Sequence, residues 1–344
     1  MVMLKRFFQL IRNPSVRRVV FLCHPNADPD AVCSSYVLAG IVRRLQRNLA
    51  TSIVASDGVS LVSRRLMSNI NLPADLIKAD SDKQPDLLIL VDTSTAQQLA
   101  GWAERIKASR LPLVIVDHHA PHPSMKPMAP LLLTDEKTAS TCEIVFRIAQ
   151  AARHKLTRKE ALALFCGLIY ETKHFRIATP MTFEVAAKLT AYGFSIKEAF
   201  SYLSVPPSRS ERLARLKAAQ RVQLVNAADW VIALTMVNSY QSSAARGLLA
   251  LGADVAVAAG ESKGAVRVNL RCTDEFQSKT RIHLGKDLAF ELGETFSGVG
   301  GGHASNAGVR GVGDASEVLA RAKSMILKII AGSKQMKQSP TNAL

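Results

Sequence analysis

Seven acid or imidazole residues stand directly after short apolar runs. His24, Asp28 and Asp30 follow Val19–Cys23, Asp92 follows Leu87–Val91, and Asp117, His118 and His119 follow Leu113–Val116. In open α/β sheets, ligands gather beyond the carboxyl ends of the strands, so three strands ending this way predict one site on one sheet edge. A lone Asp at a strand end is most often a helix cap or turn former. The set is different, because so many converging carboxylates repel one another unless cations sit among them. Mixed oxygen and imidazole donors suit Mn²⁺ or Mg²⁺ better than zinc–thiolate chemistry. Two such ions ~3.5–4 Å apart would activate a water and hold a phosphate in line with it. The predicted reaction class is metal-dependent phosphoester hydrolysis.

The elements that must position these groups are legible from periodicity. Apolar runs at Val19–Cys23, Ser52–Ala55, Leu87–Val91 and Leu113–Val116 alternate with helical patterns at Val32–Leu45 and Ala96–Ile106. This is the alternation of an α/β parallel sheet covered on both faces. Helical spacing then runs from Ser140 to Ala199. At Val205-Pro206-Pro207-Ser208 the pattern breaks, and the basic stretch Arg209–Arg221 predicts a linker helix with Ser208 as its cap. From Trp230 a smaller α/β domain is expected. It has strands at Val231–Met236, Asp254–Ala259 and Ala265–Arg271, helices at Ser242–Leu251 and Lys286–Thr295, a glycine-rich loop, and a last helix Ala315–Ile330. The expected organisation is a metal-binding domain over 1–204, a linker helix over 205–225, a substrate-binding domain over 226–333, and a flexible tail over 334–344. Met1–Ile11 reads as a short basic amphipathic helix.

Composition bounds the alternatives. The 344 residues carry 44 Lys+Arg against 28 Asp+Glu, a formal charge of +16, and 48% hydrophobic residues. That excludes bulk disorder and suits two domains of ~100–200 residues each. No apolar run reaches the ~20 residues of a membrane span. The five cysteines are dispersed, with no Cys-x-x-Cys pair, so neither a disulfide framework nor a thiolate zinc site is expected, and a cytoplasmic location is. Basic balance favours phosphate-rich partners, but the proposed floor of the site is acidic. The excess charge must therefore lie elsewhere, as along Arg209–Arg221. His122, His154, His174 and His283 read as surface histidines, with His174 set apart by its position near Glu171. Aromatics at 6% offer no base-stacking array.

The ordered motifs resemble those of the DHH phosphoesterases. The namesake tripeptide is Asp117-His118-His119; the first motif, His-x-Asn-x-Asp-x-Asp, is His24-Pro25-Asn26-Ala27-Asp28-Pro29-Asp30; the second is Leu90-Val91-Asp92. The fourth, usually Asp-Thr-x-x-Phe-Arg, is Glu171-Thr172-Lys173-His174-Phe175-Arg176. Gly300-Gly301-Gly302-His303 followed by Ala307-Gly308 resembles the glycine-rich signature of the DHHA1 domain. The resemblance implies that His24 and Asp28 hold one metal, that Asp30 and His118 hold the other, and that Asp92 bridges them. It also implies that His119 sits either behind the metal ligands or against the substrate phosphate, that Asp117 orients the imidazoles, and that Glu171 contributes a carboxylate at the second metal site. Glu171 is one methylene longer than the family's Asp, and Ala27 stands where Pro is usual. Arg271, Gly300, Gly301, Gly302 and His303 are the implied substrate clamp. Arg176 suits either a substrate contact or an interdomain ion pair. Two-domain members place the active site in the cleft between domains.

The expected activity is that of a two-metal (Mn²⁺ or Mg²⁺) phosphodiesterase hydrolysing short single-stranded RNA or DNA, of nanoRNase or exonuclease type. Nucleoside bisphosphate phosphatase activity and a homodimer are both compatible with the sequence. The alternatives are a cyclic dinucleotide phosphodiesterase with the same machinery, and a catalytically inert nucleic-acid-binding scaffold.

Overall fold

A computed structural model describes residues 2–73, 76–78, 80, 84–93, 95, 99, 101–108, 111–125 and 127–338. The chain divides into two compact units, Met1–Val205 and Pro206–Leu344.

The first unit opens with α1 (Val2–Ile11), which buries Phe7 and Ile11. It continues through β1 (Arg18–Leu22), α2 (Pro29–Leu45), β2 (Ala50–Val54), α3 (Leu61–Asn69), β3 (Ile77–Lys78), β4 (Leu87–Val91), α4 (Trp102–Ala108), β5 (Leu113–Asp117) and β6 (Leu131–Thr134). Four helices close it: α5 (Thr141–Ala151), α6 (Arg158–Glu171), α7 (Pro180–Thr190) and α8 (Ile196–Leu203). The strands form one parallel sheet in the order β3-β2-β1-β4-β5-β6. Its central strands are apolar on both faces because both faces are covered. Leu87, Ile89 and Val91 enter the core shared with α2, α5 and α6, while Leu88 and Leu90 enter one with Trp102, Ile106 and Met125. The chain winds outward in opposite directions from the neighbours β1 and β4. That reversal opens a crevice beyond their carboxyl ends.

In the second unit come α9 (Arg209–Gln220), β7 (Gln223–Ala227), β8 (Trp230–Met236), α10 (Gln241–Ala250), β9 (Val255–Ser262), β10 (Ala265–Cys272) and α11 (Asp274–Thr280). A π-helical turn, Leu284–Ala289, then runs into α12 (Phe290–Thr295), followed by β11 (Val299–Gly302), β12 (Asn306–Val312) and α13 (Ala315–Gln338). The sheet is mixed, in the order β11-β12-β10-β9-β8-β7, with only β8 and β9 parallel. One face packs Val255, Val257 and Val268 against Leu292 and Ile326; the other packs Ala256 and Ala258 against Ala218, Ala244 and Ala245.

The α/β class with a second, smaller α/β part is as expected, but several elements differ. The basic stretch does form a helix capped by Ser208, but one face of it is packed. Its alanines Ala214 and Ala218 are buried, and the Arg215 Nε donates to Ser243 Oγ at 2.7 Å, so α9 packs on α10. β7 begins within the span assigned to the linker. The glycine-rich stretch forms the hairpin β11–β12 and not a loop, since its backbone groups pair across the strands. α13 runs on to Gln338, beyond the expected start of the tail, while residues 339–344 lie outside the described residues. Of the helix expected over Ala96–Ile106, positions 96–98 and 100 likewise lie outside them, and α4 begins at Trp102. His154 is not a surface residue: its side chain is 2% exposed, with Nε2 3.2 Å from Glu160 Oε1. Among the described residues no helix is long and apolar enough to cross a membrane.

Candidate metal centre

Asp28 is the N-cap of α2, its Oδ1 accepting the backbone N–H groups of Asp30 (2.9 Å) and Ala31 (3.1 Å). Pro29 takes the first helical position, where a missing N–H costs nothing. Ala27 stands where the resemblance has Pro, and its N–H donates to the Gly58 carbonyl at 3.0 Å, which a proline could not do. Asp92 follows β4 directly in a left-handed conformation, φ 57°, while its N–H continues the ladder to the Val116 carbonyl at 3.0 Å. Backbone strain of this kind costs on the order of 1–3 kcal/mol and collects at functional sites. Asp117 closes β5 and is fully buried.

These elements bring six of the sequence-derived residues together in two overlapping groups. His24, Asp28 and Asp92 form one; Asp92, Asp117, His118 and His119 form the other, and the candidate donor atoms of each group lie within 4.8 Å of one another. Asp92 belongs to both. Its Oδ2 is 3.9 Å from His24 Nε2 and its Oδ1 is 3.7 Å from His118 Nε2. Such separations are too long for hydrogen bonds. They fall between the ~3 Å of adjacent donors and the ~4.2 Å of opposed donors that would share one cation at ~2.1 Å.

Hydrogen bonds hold the imidazoles for this purpose. His24 Nδ1 donates to the Pro25 carbonyl at 2.8 Å and His118 has a backbone hydrogen bond to Thr138, which leaves both Nε2 atoms facing the carboxylates. His119 is different. Asp117 Oδ1 accepts from its Nδ1 at 2.9 Å and from its N–H at 3.0 Å, while the ring itself is largely exposed. Two buried atoms, His118 Nε2 and Asp117 Oδ2, have no hydrogen-bond partner. Orphaned donors, hard oxygens and imidazoles in one crevice fit a divalent cation held by nitrogen and oxygen.

The charges are poised as a cation site requires. Burial first, then Asp28 and Asp117, push the Asp92 carboxyl up to about 7. Burial opposes the charge on His24, but the adjoining Asp28 and the Pro25 carbonyl carry its imidazole up to about 9. His118 is held below the usual range by burial and by His119, whereas the Asp117 hydrogen bond raises His119. At neutral pH His24 therefore carries a proton that a metal must displace. Binding of Mn²⁺ at pH 7 is expected to release about one proton or more per protein, and affinity is expected to climb up to about pH 9. Titration calorimetry in buffers of differing ionisation enthalpy reads this directly, and a heat independent of buffer would contradict it.

Two sequence-derived ligands stand apart. Asp30 is fully buried, and its Oδ2 and Oδ1 accept the N–H groups of Thr141 (2.7 Å) and Cys142 (2.9 Å). It thus anchors the first turn of α5. Burial, then Asp92, raises its carboxyl well above the ordinary range. Glu171 ends α6 with Oε1 3.9 Å from His118 Nε2, close to the second group but outside it. After Glu171 the backbone takes three consecutive left-handed residues, Lys173, His174 and Phe175. Arg176 is exposed, and no ion pair involving it exists among the described residues. In the second unit Gly300 and Gly301 line a cavity of 660 Å³, Gly302 adopts φ 144°, His303 is exposed, and Arg271 Nη2 donates to Ser242 Oγ at 3.1 Å.

Thr141 was not legible as a site residue. It is fully buried, and its hydroxyl donates to Asp92 Oδ1 at 3.0 Å. The available signal was the Ser140-x-x-Glu143 spacing, which marks a helix start and whose Ser140 does cap α5. A hydrogen bond to a charged group is worth ~1.5–3 kcal/mol. Thr141→Val is therefore expected to slow hydrolysis by about tenfold or more in a protein that still melts cooperatively at a somewhat lower temperature by circular dichroism, and a parental rate would remove the role.

Residues 18–168 match the DHH family, N-terminal domain. An uncharacterized protein of Methanocaldococcus jannaschii is 31% identical over 301 residues, spanning 87% of this chain and 88% of that one. The cyclic-di-AMP phosphodiesterase GdpP of Geobacillus thermodenitrificans is 28% identical over 189 residues, which are 51% of this chain but 28% of that protein's length. The probable bifunctional oligoribonuclease and PAP phosphatase NrnA of Streptococcus mutans is 27% identical over 173 residues, 50% and 51% of the two chains. Among solved structures, an exopolyphosphatase-related protein from Bacteroides fragilis has a TM-score of 0.66 at 14% identity, over 97% of this chain and 98% of that one, a likeness of fold.

Proposed function

We propose, from the premise that this chain belongs to the DHH family, that it is a divalent-metal-dependent phosphodiesterase that hydrolyses short single-stranded oligonucleotides. The observation that carries the reading is Asp92, whose two oxygens face two different imidazoles from two strand ends. A carboxylate so placed could serve two cation positions at once. His24, Asp28 and Asp92 would hold one ion; Asp92 and His118, with Asp117, Asp30 and Glu171 around them, would hold the other. Cations of the Mn²⁺ or Mg²⁺ class, when bound, supply charge neutralisation of the phosphate and acidify a water.

The residues of this chain supply the remainder. Asp117 holds the exposed His119 ring through Nδ1 and favours its protonated form, in which the other nitrogen also carries a proton and can donate to a phosphate oxygen. Thr141 fixes one Asp92 oxygen, and Asp30 ties α5, and with it Thr141, to the crevice. The second unit would hold the nucleotide chain through Arg271 and the Gly300–His303 hairpin edge. The exposed guanidinium of Arg176 adds positive charge in the first unit.

Among the family's substrates, linear oligonucleotides are favoured by the net charge of +16, which lowers the energy of a multiply charged strand more than that of a compact cyclic ligand. The test is a hydrolysis panel with Mn²⁺ and Mg²⁺ over di- to pentanucleotides of RNA and DNA, longer single strands, nucleoside bisphosphate and cyclic dinucleotides. Fastest turnover of the short linear strands is expected. Fastest turnover of a cyclic dinucleotide would replace this reading, and metal binding without hydrolysis of any member would make the protein a scaffold.

A further inference from the structure

On the sheet of the second unit, register sets Arg267 of β10 directly opposite Arg310 of β12. Like charges facing one another on neighbouring strands destabilise a sheet. Neither guanidinium has an ion pair or side-chain hydrogen bond among the described residues. Both line the 660 Å³ cavity on the face not covered by α13. Two steps along the same face, Gly301 of β11 pairs with Gly308 of β12 and makes the cavity floor.

The fold does not account for these two glycines. A Cβ on Gly301 would meet nothing within 4 Å, and one on Gly308 would come only to 3.6 Å from the Val268 carbonyl oxygen. Neither has a positive φ. Gly300 and Gly302, by contrast, are required by close backbone contacts with Ala289 and Asn306. Glycine inside a strand weakens it and often marks where a ligand approaches the backbone. The rim adds a further feature. Tyr240 lines the cavity, half exposed and in a left-handed conformation (φ 57°) that is strained for a bulky residue, and it heads α10 without any side-chain cap.

We propose that this trough is a second phosphate-binding subsite, in which Arg267 and Arg310 grip a phosphate of an extended single-stranded oligonucleotide above the Gly301–Gly308 floor. Tyr240 offers a ring for stacking one of its bases. Arg271, on the same face of β10, lies four residues from Arg267, ~13 Å along the strand. One phosphate group cannot span that distance, so the ligand is a chain with successive phosphates. The inference rests on the oligonucleotide reading and deepens it: strands long enough to reach both arginine positions are held more tightly than a mononucleotide.

The test is binding, by fluorescence anisotropy, of an end-labelled RNA pentamer to the full-length protein in chelator, from ~50 to ~200 mM salt. The double variant Arg267→Gln/Arg310→Gln is expected to bind at least about tenfold more weakly. Its slope of log affinity against log salt should be shallower by ~0.7, the increment for one phosphate no longer neutralised. Gly308→Leu, which fills the floor, is expected to weaken binding similarly with an unchanged melting temperature. A labelled mononucleotide should be affected far less. Parental affinity and slope in the double variant would overturn the proposal, as would an equal loss for mononucleotide and pentamer. So would inorganic polyphosphate binding that depends on the arginines while the pentamer does not. Because no hydrolysis is read, the two readings separate. A parent that cleaves nothing yet binds the pentamer through these arginines sinks only the enzymatic reading, and one that cleaves the pentamer without their help sinks only this one.

Discussion

Asp92→Asn is expected to leave a folded protein that hydrolyses any phosphodiester at least ~10³-fold more slowly, a loss of ~4 kcal/mol of transition-state stabilisation. The substitution keeps the shape of the side chain, and the Thr141 hydroxyl can still donate to the amide oxygen. What disappears is the second anionic oxygen, and with it the common member of the two donor groups. The variant also has a stability signature. The folded-state value of Asp92 is raised to about 7 from an ordinary 3.8, so the native state binds the proton more tightly than the unfolded chain. Between about pH 4 and 7 the metal-free parent therefore loses stability as pH rises, and above 7 the full penalty of a buried, crowded carboxylate is present. The neutral amide removes it. Metal-free Asp92→Asn should melt higher than the metal-free parent at pH 8 and no higher at pH 4. A variant within about tenfold of the parental rate would sink the shared-ligand assignment.

Removal of divalent metal is expected to bring hydrolysis of every substrate to background, a drop of more than ~10³-fold, with recovery on adding Mn²⁺. The same titration should stabilise the fold. Burial first, and then like-charge crowding among Asp28, Asp92 and Asp30, raises the last two, so a bound cation relieves most where they are ionised. The Mn²⁺-induced rise in melting temperature should accordingly be larger at pH 8 than at pH 5.5, measured by differential scanning calorimetry at equal free metal. Hydrolysis that persists undiminished in chelator would refute the mechanism. A melting shift that shrinks with rising pH would show that the cation sits elsewhere.

Much of the candidate metal centre was legible because it depends on local order. Short Val/Ile/Leu runs buried on both faces can only be central parallel strands, and the residue after such a strand is delivered to the crevice edge whatever the rest of the fold does. Hence His24, Asp28, Asp92 and Asp117-His118-His119 were identifiable together from type and position. Asp28 shows that the bland and the functional readings of a strand-end carboxylate need not compete, since one oxygen caps α2 while its side chain stays in the donor group. Asp30 adds a contact that its spacing did not announce: its two oxygens receive backbone N–H groups from a helix that starts over a hundred residues later.

The remaining decisions were made by contacts between segments remote in sequence. Thr141 touches Asp92 only because α5 docks over the carboxyl ends of the strands. Arg267 and Arg310 face each other only because β10 and β12 pair in one register; slipping it by one residue would turn one of them to the covered face. The basic stretch Arg209–Arg221 carries its charge in plain view, but that it packs on α10 depends on Ala214 and Ala218, whose i,i+4 spacing marks one helix face without naming the element it meets. From the sequence alone came the chemistry of the donor set and the strands that carry it, because strand ends are set by local hydrophobic pattern. Which oxygen faces which imidazole, and which arginines share a surface, was decided by the tertiary structure, because those distances depend on pairings that no local pattern encodes.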